Sequence, residues 1–256
     1  MTSIFTDKSA LVVGAGGLGG PVLLALGAAG VGRIVFCDDD QVETSNLNRQ
    51  PLFGEEDLGA RKAAAAERRL RHLFPSLRIE AIDGRFDREN AVEWIRSADV
   101  VLDGSDNFGT KFLASDAAIL AGRPLVHGGV LRFTSQILTV LPGQTACLRC
   151  LFEVPPEPGT VPTCATAGIL GGVAGFAGSL MAAEALRLLA GRPAAYAGRL
   201  LICEAQPARS RRITVPRRVG CAACEGRLPL ESSARPQTCA PGRPDRSKGD
   251  VPGGPV

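Results

Sequence analysis

Four of the eight cysteines form two C-x-x-C pairs, Cys147/Cys150 and Cys221/Cys224. Four thiolates in that pattern are the donor set of a tetrahedral zinc site, structural because sulfur fills every position. A redox dithiol is the alternative, and two matched pairs favour the metal. Near the N-terminus, Gly14, Gly16 and Gly19 fit G-x-G-x-x-G, and Asp38 follows where a carboxylate can accept hydrogen bonds from a ribose. That combination reads as a nucleotide site. Beyond Asp38 come Asp39 and Asp40, either of which can orient the loop, and then Ser45-Asn46-Leu47-Asn48-Arg49-Gln50. A simple NAD site does not need that segment. Arg49 and Lys62 supply cations that can hold a triphosphate and offset charge developing on pyrophosphate. Asp106 offers a carboxylate suited to Mg²⁺, which binds one or two protein carboxylates together with phosphate oxygens.

Each of these residues also has a plain structural reading. Arg49 can form a loop ion pair, Lys62 can be a solvated residue in a first helical turn, and Asp106 can cap the next helix. Together, in this order, they point to ATP. Cys164, in Pro162-Thr163-Cys164-Ala165-Thr166-Ala167-Gly168, is a candidate nucleophile ahead of a helix N-terminus; its alternative is a small buried side chain. His72 and His127 read as structural, and Cys37 and Cys203 as core residues of strands.

The elements that must position these groups follow from hydrophobic pattern. Ala10–Val13 is a strand running into the glycine turn and an apolar helix, which suits a phosphate at a helix N-terminus. Then come strand Arg33–Cys37, the long loop Asp38–Gly59, helix Ala60–Leu73 with Lys62 in its first turn, strand Leu77–Ile82 and short helix Arg88–Ile95. Strand Asp99–Asp103 ends at Gly104-Ser105-Asp106-Asn107, where a doubly wound sheet presents ligand-facing residues. Helix Gly109–Ala121 and strand Pro124–His127 follow. The alternation predicts a Rossmann-like, mostly parallel sheet. Thr134–Val140, Gly198–Cys203 and Arg212–Val215 read as antiparallel strands that extend it.

At 256 residues the chain can bury a full core. A net charge of +3 is too small to argue for nucleic acid, and the run from Arg209 to Arg218 reads as a solvated edge, with an acidic partner surface as its sharper alternative. The polar stretch Met1 to Ser9 does not read as a secretory leader. Ala167 to Ala190 is long and apolar, but Glu184 and Arg187 interrupt it, so a buried helix at a subunit interface is expected rather than a membrane span. Cysteine usage points to a cytoplasmic protein. Phe152–Thr163, with four prolines, reads as an exposed crossing loop. Residues 1–226 form the expected domain, and 227–256 a Pro-, Gly- and Arg-rich tail, Cys239 included, that cannot bury enough surface to order itself.

GAGGLG at Gly14–Gly19, DDDQVETSNLNRQ at Asp38–Gln50, GARK at Gly59–Lys62, LDGSDN at Leu102–Asn107, CLRC at Cys147–Cys150, TCATAGI at Thr163–Ile169 and CAAC at Cys221–Cys224 stand in this order. The chain resembles the ThiF/MoeB/HesA family, bacterial relatives of ubiquitin-activating enzymes, over about Ala10 to Gly226. The resemblance implies MgATP-dependent adenylylation of the C-terminal Gly-Gly carboxylate of a small ubiquitin-like sulfur carrier of the ThiS/MoaD type, releasing pyrophosphate. It implies that Gly17 lies against the nucleotide and Asp38 holds the ribose. Ser45, Asn46, Leu47, Asn48 and Arg49 would wrap the phosphates, with Arg49 and Lys62 as transition-state cations. Asp106 would bind Mg²⁺ and Asn107 would position the nucleotide. Cys147, Cys150, Cys221 and Cys224 would hold zinc, and Cys164 matches a loop cysteine that some members use for thioester or acyl-persulfide chemistry. A homodimer and a separate sulfur donor, a cysteine desulfurase or rhodanese-like protein, are implied, with no nucleic acid or membrane as partner.

One departure stands out. Members begin with a segment whose arginine reaches the partner subunit's ATP, whereas Lys8 is the only basic residue before this chain's first strand. Two other readings compete: a carrier-binding scaffold without turnover, and an NAD-dependent oxidoreductase that leaves Arg49, Lys62, Asp106 and the cysteine pairs without a role.

Overall fold

The computed structural model describes residues 3–157, 160, 168–228 and 230. Eight strands form one sheet: β1 (Ser9–Val13), β2 (Arg33–Asp38), β3 (Arg78–Asp83), β4 (Val100–Asp103), β5 (Leu125–Leu131), β6 (Thr134–Val140), β7 (Arg199–Glu204) and β8 (Arg209–Thr214). Their order is β3-β2-β1-β4-β5-β6-β7-β8. Pairing is parallel from β3 to β5 and antiparallel from β5 to β8. The α/β fold is therefore the expected Rossmann-like doubly wound sheet with an antiparallel extension. The strand order reverses between β1 and β4, which run parallel, and ligands of such sheets bind at the carboxyl ends of strands flanking that point.

The helices are α1 (Gly19–Ala29), α2 (Lys62–Leu73), α3 (Ala91–Arg96), α4 (Phe108–Ala121), α5 (Leu148–Leu151) and α6 (Gly171–Leu189). Alternate strand residues point to opposite faces. Val12, Ile34, Phe36, Leu102 and Ile137 pack with Val22 and Leu26 of α1, Leu70 of α2 and Met181 of α6. Leu11, Val13, Val35, Val101 and Leu138 pack on the other side with Ile95 of α3 and Leu113 and Ala117 of α4, and that layer continues into Cys147, Cys221 and Cys224.

The bounds of two strands differ from expectation for a physical reason. β5, expected to end at His127, runs on through Gly128 and Gly129 to Leu131; a Cβ at Gly128 would come 2.2 Å from Met181 Sδ, so the glycine lets α6 lie close on the strand. β8 starts at Arg209 and is exposed along its whole length, so no apolar alternation marks it. Charged edge strands of this kind resist unwanted pairing. The Asp38–Gly59 loop carries two 3₁₀ turns, Thr44–Asn46 and Glu55–Asp57.

α6 passes a length-and-composition test for crossing a membrane, yet half of it is buried inside the protein. Glu184, which interrupts its apolar run, is itself buried. Its carboxylate accepts hydrogen bonds from Thr139 Oγ1 of β6 (2.8 Å), Ala195 N (3.0 Å) and Tyr196 N (2.9 Å). A buried carboxylate so partnered fixes α6 to the sheet.

Candidate nucleotide site and thiolate cluster

The glycine turn connects β1 to α1. Gly14 has φ +87°, the left-handed region that glycine adopts without strain, and its N–H donates to Cys37 O. A Cβ at Gly19 would lie 1.7 Å from Gly14 O, so only glycine fits where α1 begins. No side chain caps α1, and its first turn carries no acidic residue. The unpaired N–H groups of that turn and the helix dipole favour an anion there.

Asp38 ends β2 beside this turn. Its carboxylate accepts from Ala15 N (2.8 Å) and Asp40 N (3.0 Å), which fixes its orientation. Burial raises the Asp38 carboxyl above its ordinary pKa, and Lys62 and the two N–H donors partly offset this. Lys62 arrives by local pairing: Val42 and Gly59–Ala60 exchange backbone hydrogen bonds, and Lys62 N donates to Asp40 O. Its Nζ then lies 2.9 Å from Asp40 Oδ2, in a side chain only 6% exposed. Lys62 is thus a buried cation and not a solvated first-turn residue.

The Ser45–Arg49 segment builds itself. Asn46 is buried; its Oδ1 accepts from Glu43 N and its Nδ2 donates to Ser45 Oγ. Leu47 packs on the core. Arg49 Nη1 donates to Ser45 O (2.7 Å) and Asn48 Oδ1 (3.1 Å), so the guanidinium is held by its own loop, and among the described residues no carboxylate pairs with it. A Cβ at Gly17 would be 3.5 Å from Arg49 Cγ and 3.6 Å from Ala174 Cβ; one at Gly171 would be 2.3 Å from Asn48 O. The glycine turn, the Arg49 segment and the start of α6 therefore converge.

From the other side of the switch point, β4 delivers Gly104–Asn107. Asp106 is exposed. The cap of α4 is Asn107, whose Oδ1 accepts from Thr110 N at 2.9 Å, so Asp106 is free of the capping role. Asp38, Lys62, Asp106 and the glycine turn all lie at carboxyl ends of β1, β2 and β4. Cys164 lies outside the described residues.

Sequence reasoning passed over three groups here. Asp103, fully buried at the end of β4, meets His127 and Lys111. Gln50 is buried beside Gly16, and its Oε1 has no hydrogen-bond partner among the described residues. The position of Asp103 at a strand end by the switch point was the available signal. His127 is buried, with Nδ1 2.7 Å from Asp103 Oδ2.

The four paired cysteines come together away from this crevice. Sγ–Sγ distances are 3.8 Å for Cys147–Cys150, 3.7 Å for Cys147–Cys221 and 3.4 Å for Cys150–Cys224. Thiolates about 2.3 Å from a tetrahedral zinc stand about 3.8 Å apart, whereas a disulfide would need about 2 Å. The cluster fits zinc. Burial pushes the Cys147 thiol up. Burial opposes ionisation of Cys221 too, but the Cys224 N–H and the neighbouring thiols hold it at about 7. Arg149, inside the first pair, is buried and forks onto Asp116 of α4 (Nε–Oδ1 3.0 Å, Nη2–Oδ2 2.9 Å) while stacking over Phe112. Arg217 donates to Gly143 O and Cys224 O, and Arg218 N donates to Cys150 Sγ. The end of the arginine run is therefore knuckle scaffolding, while Arg209–Arg212 is the solvated edge expected. Cys37 is a core residue, its thiol pushed up to about 12 chiefly by burial; Cys203 is half-buried.

A doubly wound sheet with a glycine turn, a strand-end carboxylate and a buried lysine at its switch point is the framework of a nucleotide-binding α/β protein. The chain matches the ThiF family over residues 4–223 and belongs to it. It is 49% identical over 221 residues to the sulfur carrier protein adenylyltransferase of Thermus thermophilus, covering 84% of this chain and 82% of that one. It is 46% identical over 195 residues to the SAMP-activating enzyme E1 of Haloferax volcanii, covering 76% and 72%. The crystal structure of E. coli MccB with ATP shares the fold, with a TM-score of 0.77 at 20% identity over 86% of this chain and 68% of that one. The chain is accordingly an enzyme of the adenylyltransferase class, which removes the oxidoreductase reading.

Proposed function

We propose that this chain uses ATP to adenylate the C-terminal Gly-Gly carboxylate of a small ubiquitin-like sulfur carrier, releasing pyrophosphate. The observation that carries the reading is the convergence of Asp38, Lys62, Arg49 and the glycine turn at one switch point, in a chain 49% identical to a sulfur carrier protein adenylyltransferase.

In this reading the N–H groups of Gly16 and Gly17 face phosphate and Asp38 holds the ribose. Ser45–Arg49 covers the phosphates, and Asn107 fixes the loop beside the nucleotide. A carboxylate is a poor electrophile; transfer to the α-phosphorus makes AMP the leaving group. The carboxylate oxygen attacks that phosphorus, the bond to the β-phosphate oxygen breaks, and pyrophosphate departs with the electron pair. The protein's contribution is alignment and preorganised positive charge from Arg49 and Lys62, with no general base required. The exposed carboxylate of Asp106 suits Mg²⁺, which when bound offsets charge on the phosphate oxygens. Cys147, Cys150, Cys221 and Cys224 would hold zinc, which would tie the two cysteine knuckles together and act structurally.

Sulfur then comes to the activated carboxylate from a separate donor, a cysteine desulfurase or a rhodanese-like protein, with Cys164 as the candidate for a covalent intermediate. Two copies pair through the exposed side of α6, where Phe176 is half-exposed. Residues 1–226 carry the activity.

The test is carrier-dependent ATP–pyrophosphate exchange with one thiamine-type and one molybdopterin-type carrier. Exchange with either one supports the reading and names the pathway. Carrier binding without exchange would instead favour a scaffold of the same fold.

A further inference from the structure

Beneath the Gly104–Asn107 turn lies a buried ionic cluster that the chemistry above does not use. Asp103 is fully buried at the end of β4. Its Oδ1 accepts from Ser105 N (3.0 Å) and Ser105 Oγ (2.5 Å). Its Oδ2 is 2.7 Å from His127 Nδ1, on the paired residue of β5, and 3.5 Å from Lys111 Nζ of α4. Lys111 Nζ also donates to Gly128 O at 2.6 Å. Burial alone would raise the Asp103 carboxyl, but Lys111 and His127 outweigh it and hold the group well below the usual carboxylate range. Asp103 is therefore an acceptor only, and His127 donates to it through Nδ1–H.

Charge is a costly way to fill a core, and apolar groups of the same volume are often as stable. What this cluster provides is one fixed geometry. Both oxygens of a single carboxylate are engaged, by the turn on one side and by β5 and α4 on the other. The turn also abuts the phosphate turn: a Cβ at Gly104 would come 2.9 Å from Gly19 N, and one at Gly14 3.2 Å from Gly104 O. Asp106 follows Asp103 by three positions, with Asn107 capping α4 immediately after.

We propose that Asp103, Lys111 and His127 are positioning residues that lock the Gly104–Asn107 turn against the glycine turn, so that the Asp106 carboxylate is presented to the cation accompanying ATP. In this role the three act through Ser105 and Asp106 and not on the nucleotide directly. The proposal rests on the adenylyltransferase reading for where ATP sits.

The experiment is calorimetric titration of ATP into the full chain, without carrier, over a series of Mg²⁺ concentrations. Outer-shell partners of a metal ligand are worth about 10- to 100-fold in metal affinity. Asp103→Asn and Lys111→Met should raise the Mg²⁺ concentration for half-maximal ATP binding by about tenfold, with affinity for ATP in EDTA little changed. Lys111→Arg should recover most of the loss. Ser105→Ala, which removes the hydroxyl bond to Asp103 but keeps the one from Ser105 N, should shift the half-maximal Mg²⁺ in the same direction by a smaller factor, and it keeps the test open if Asp103→Asn does not fold. An unchanged Mg²⁺ dependence in folded variants, or an equal loss of Mg²⁺-free ATP binding, would overturn the proposal. Failure of the wild-type chain to bind ATP at all would overturn the reading beneath it as well.

Discussion

Lys62 Nζ lies 2.9 Å from Asp40 Oδ2, with the lysine 6% exposed and the aspartate 65% exposed. The counter-ion, two residues after Asp38 in the chain, is on the solvent side, and the cation is inside. A buried ammonium needs such a partner. Asp40 therefore holds Lys62 ready at the site, and a triphosphate would compete for the same charge. Lys62→Ala should lower pyrophosphate exchange at least about 100-fold, the scale of losing one preorganised charge at a transition state, while the far-ultraviolet circular dichroism spectrum stays unchanged. Exchange within a few-fold of wild type would remove Lys62 from the catalytic set.

The cysteine cluster is tied to α4 by the buried Arg149–Asp116 fork. Breaking a buried pair by removing one partner costs about 3–5 kcal/mol. Asp116→Ala and Arg149→Met should therefore each lower the urea unfolding free energy by about that amount. Chelating zinc from purified protein, followed by metal analysis, should lower the unfolding midpoint further in wild type. A chain with no bound metal and an unaltered midpoint on chelation would refute the zinc assignment.

The acid limb of the stability curve should carry opposite contributions from two aspartates. The folded pKa of Asp103 is depressed, so its stabilisation is present above the unfolded value of about 3.9 and is lost as pH falls below it. Asp38 is raised, so its contribution is present below about 3.9 and is lost as pH rises through its folded pKa. Urea unfolding between about pH 3 and pH 6 should therefore show a shallower acid slope for Asp103→Asn than for wild type, and a steeper one for Asp38→Asn. Identical slopes in all three would contradict both assignments.

Gly171 begins α6 against the carbonyl of Asn48, where a Cβ would come within 2.3 Å. Gly171→Ala must displace either the helix start or the Arg49 segment. The expected outcome is a raised KM for ATP with a modest loss of melting temperature; a variant kinetically equal to wild type would show that the contact does not shape the site.

Much of this molecule was legible from residue pattern, and the exceptions share a cause. The glycine turn, Asp38 and the cysteine pairs announce themselves because each depends on a residue type that nothing else replaces: no side chain at Gly19, an acceptor at Asp38, sulfur at Cys147 and its partners. β5 beyond His127 was hidden because Gly128 answers to Met181 of a distant helix, a tertiary constraint without local signature. β8 was misplaced because an edge strand of exposed arginines has no buried face to alternate. Asp103 and Lys111 sit eight positions apart and read as ordinary charges; only the closeness of β4, β5 and α4 shows them meeting around His127. Glu184 looked like an interruption of an apolar helix and is instead its anchor to β6.

The most direct test of the account is mass spectrometry of a carrier ending in Gly-Gly after incubation with this chain, MgATP and pyrophosphatase, alongside a carrier truncated by its last glycine. The account predicts that the full carrier gains the mass of one adenylyl group, that the truncated carrier gains none, and that Lys62→Ala abolishes the gain. A full carrier that binds the chain yet never acquires the adenylyl mass would contradict it.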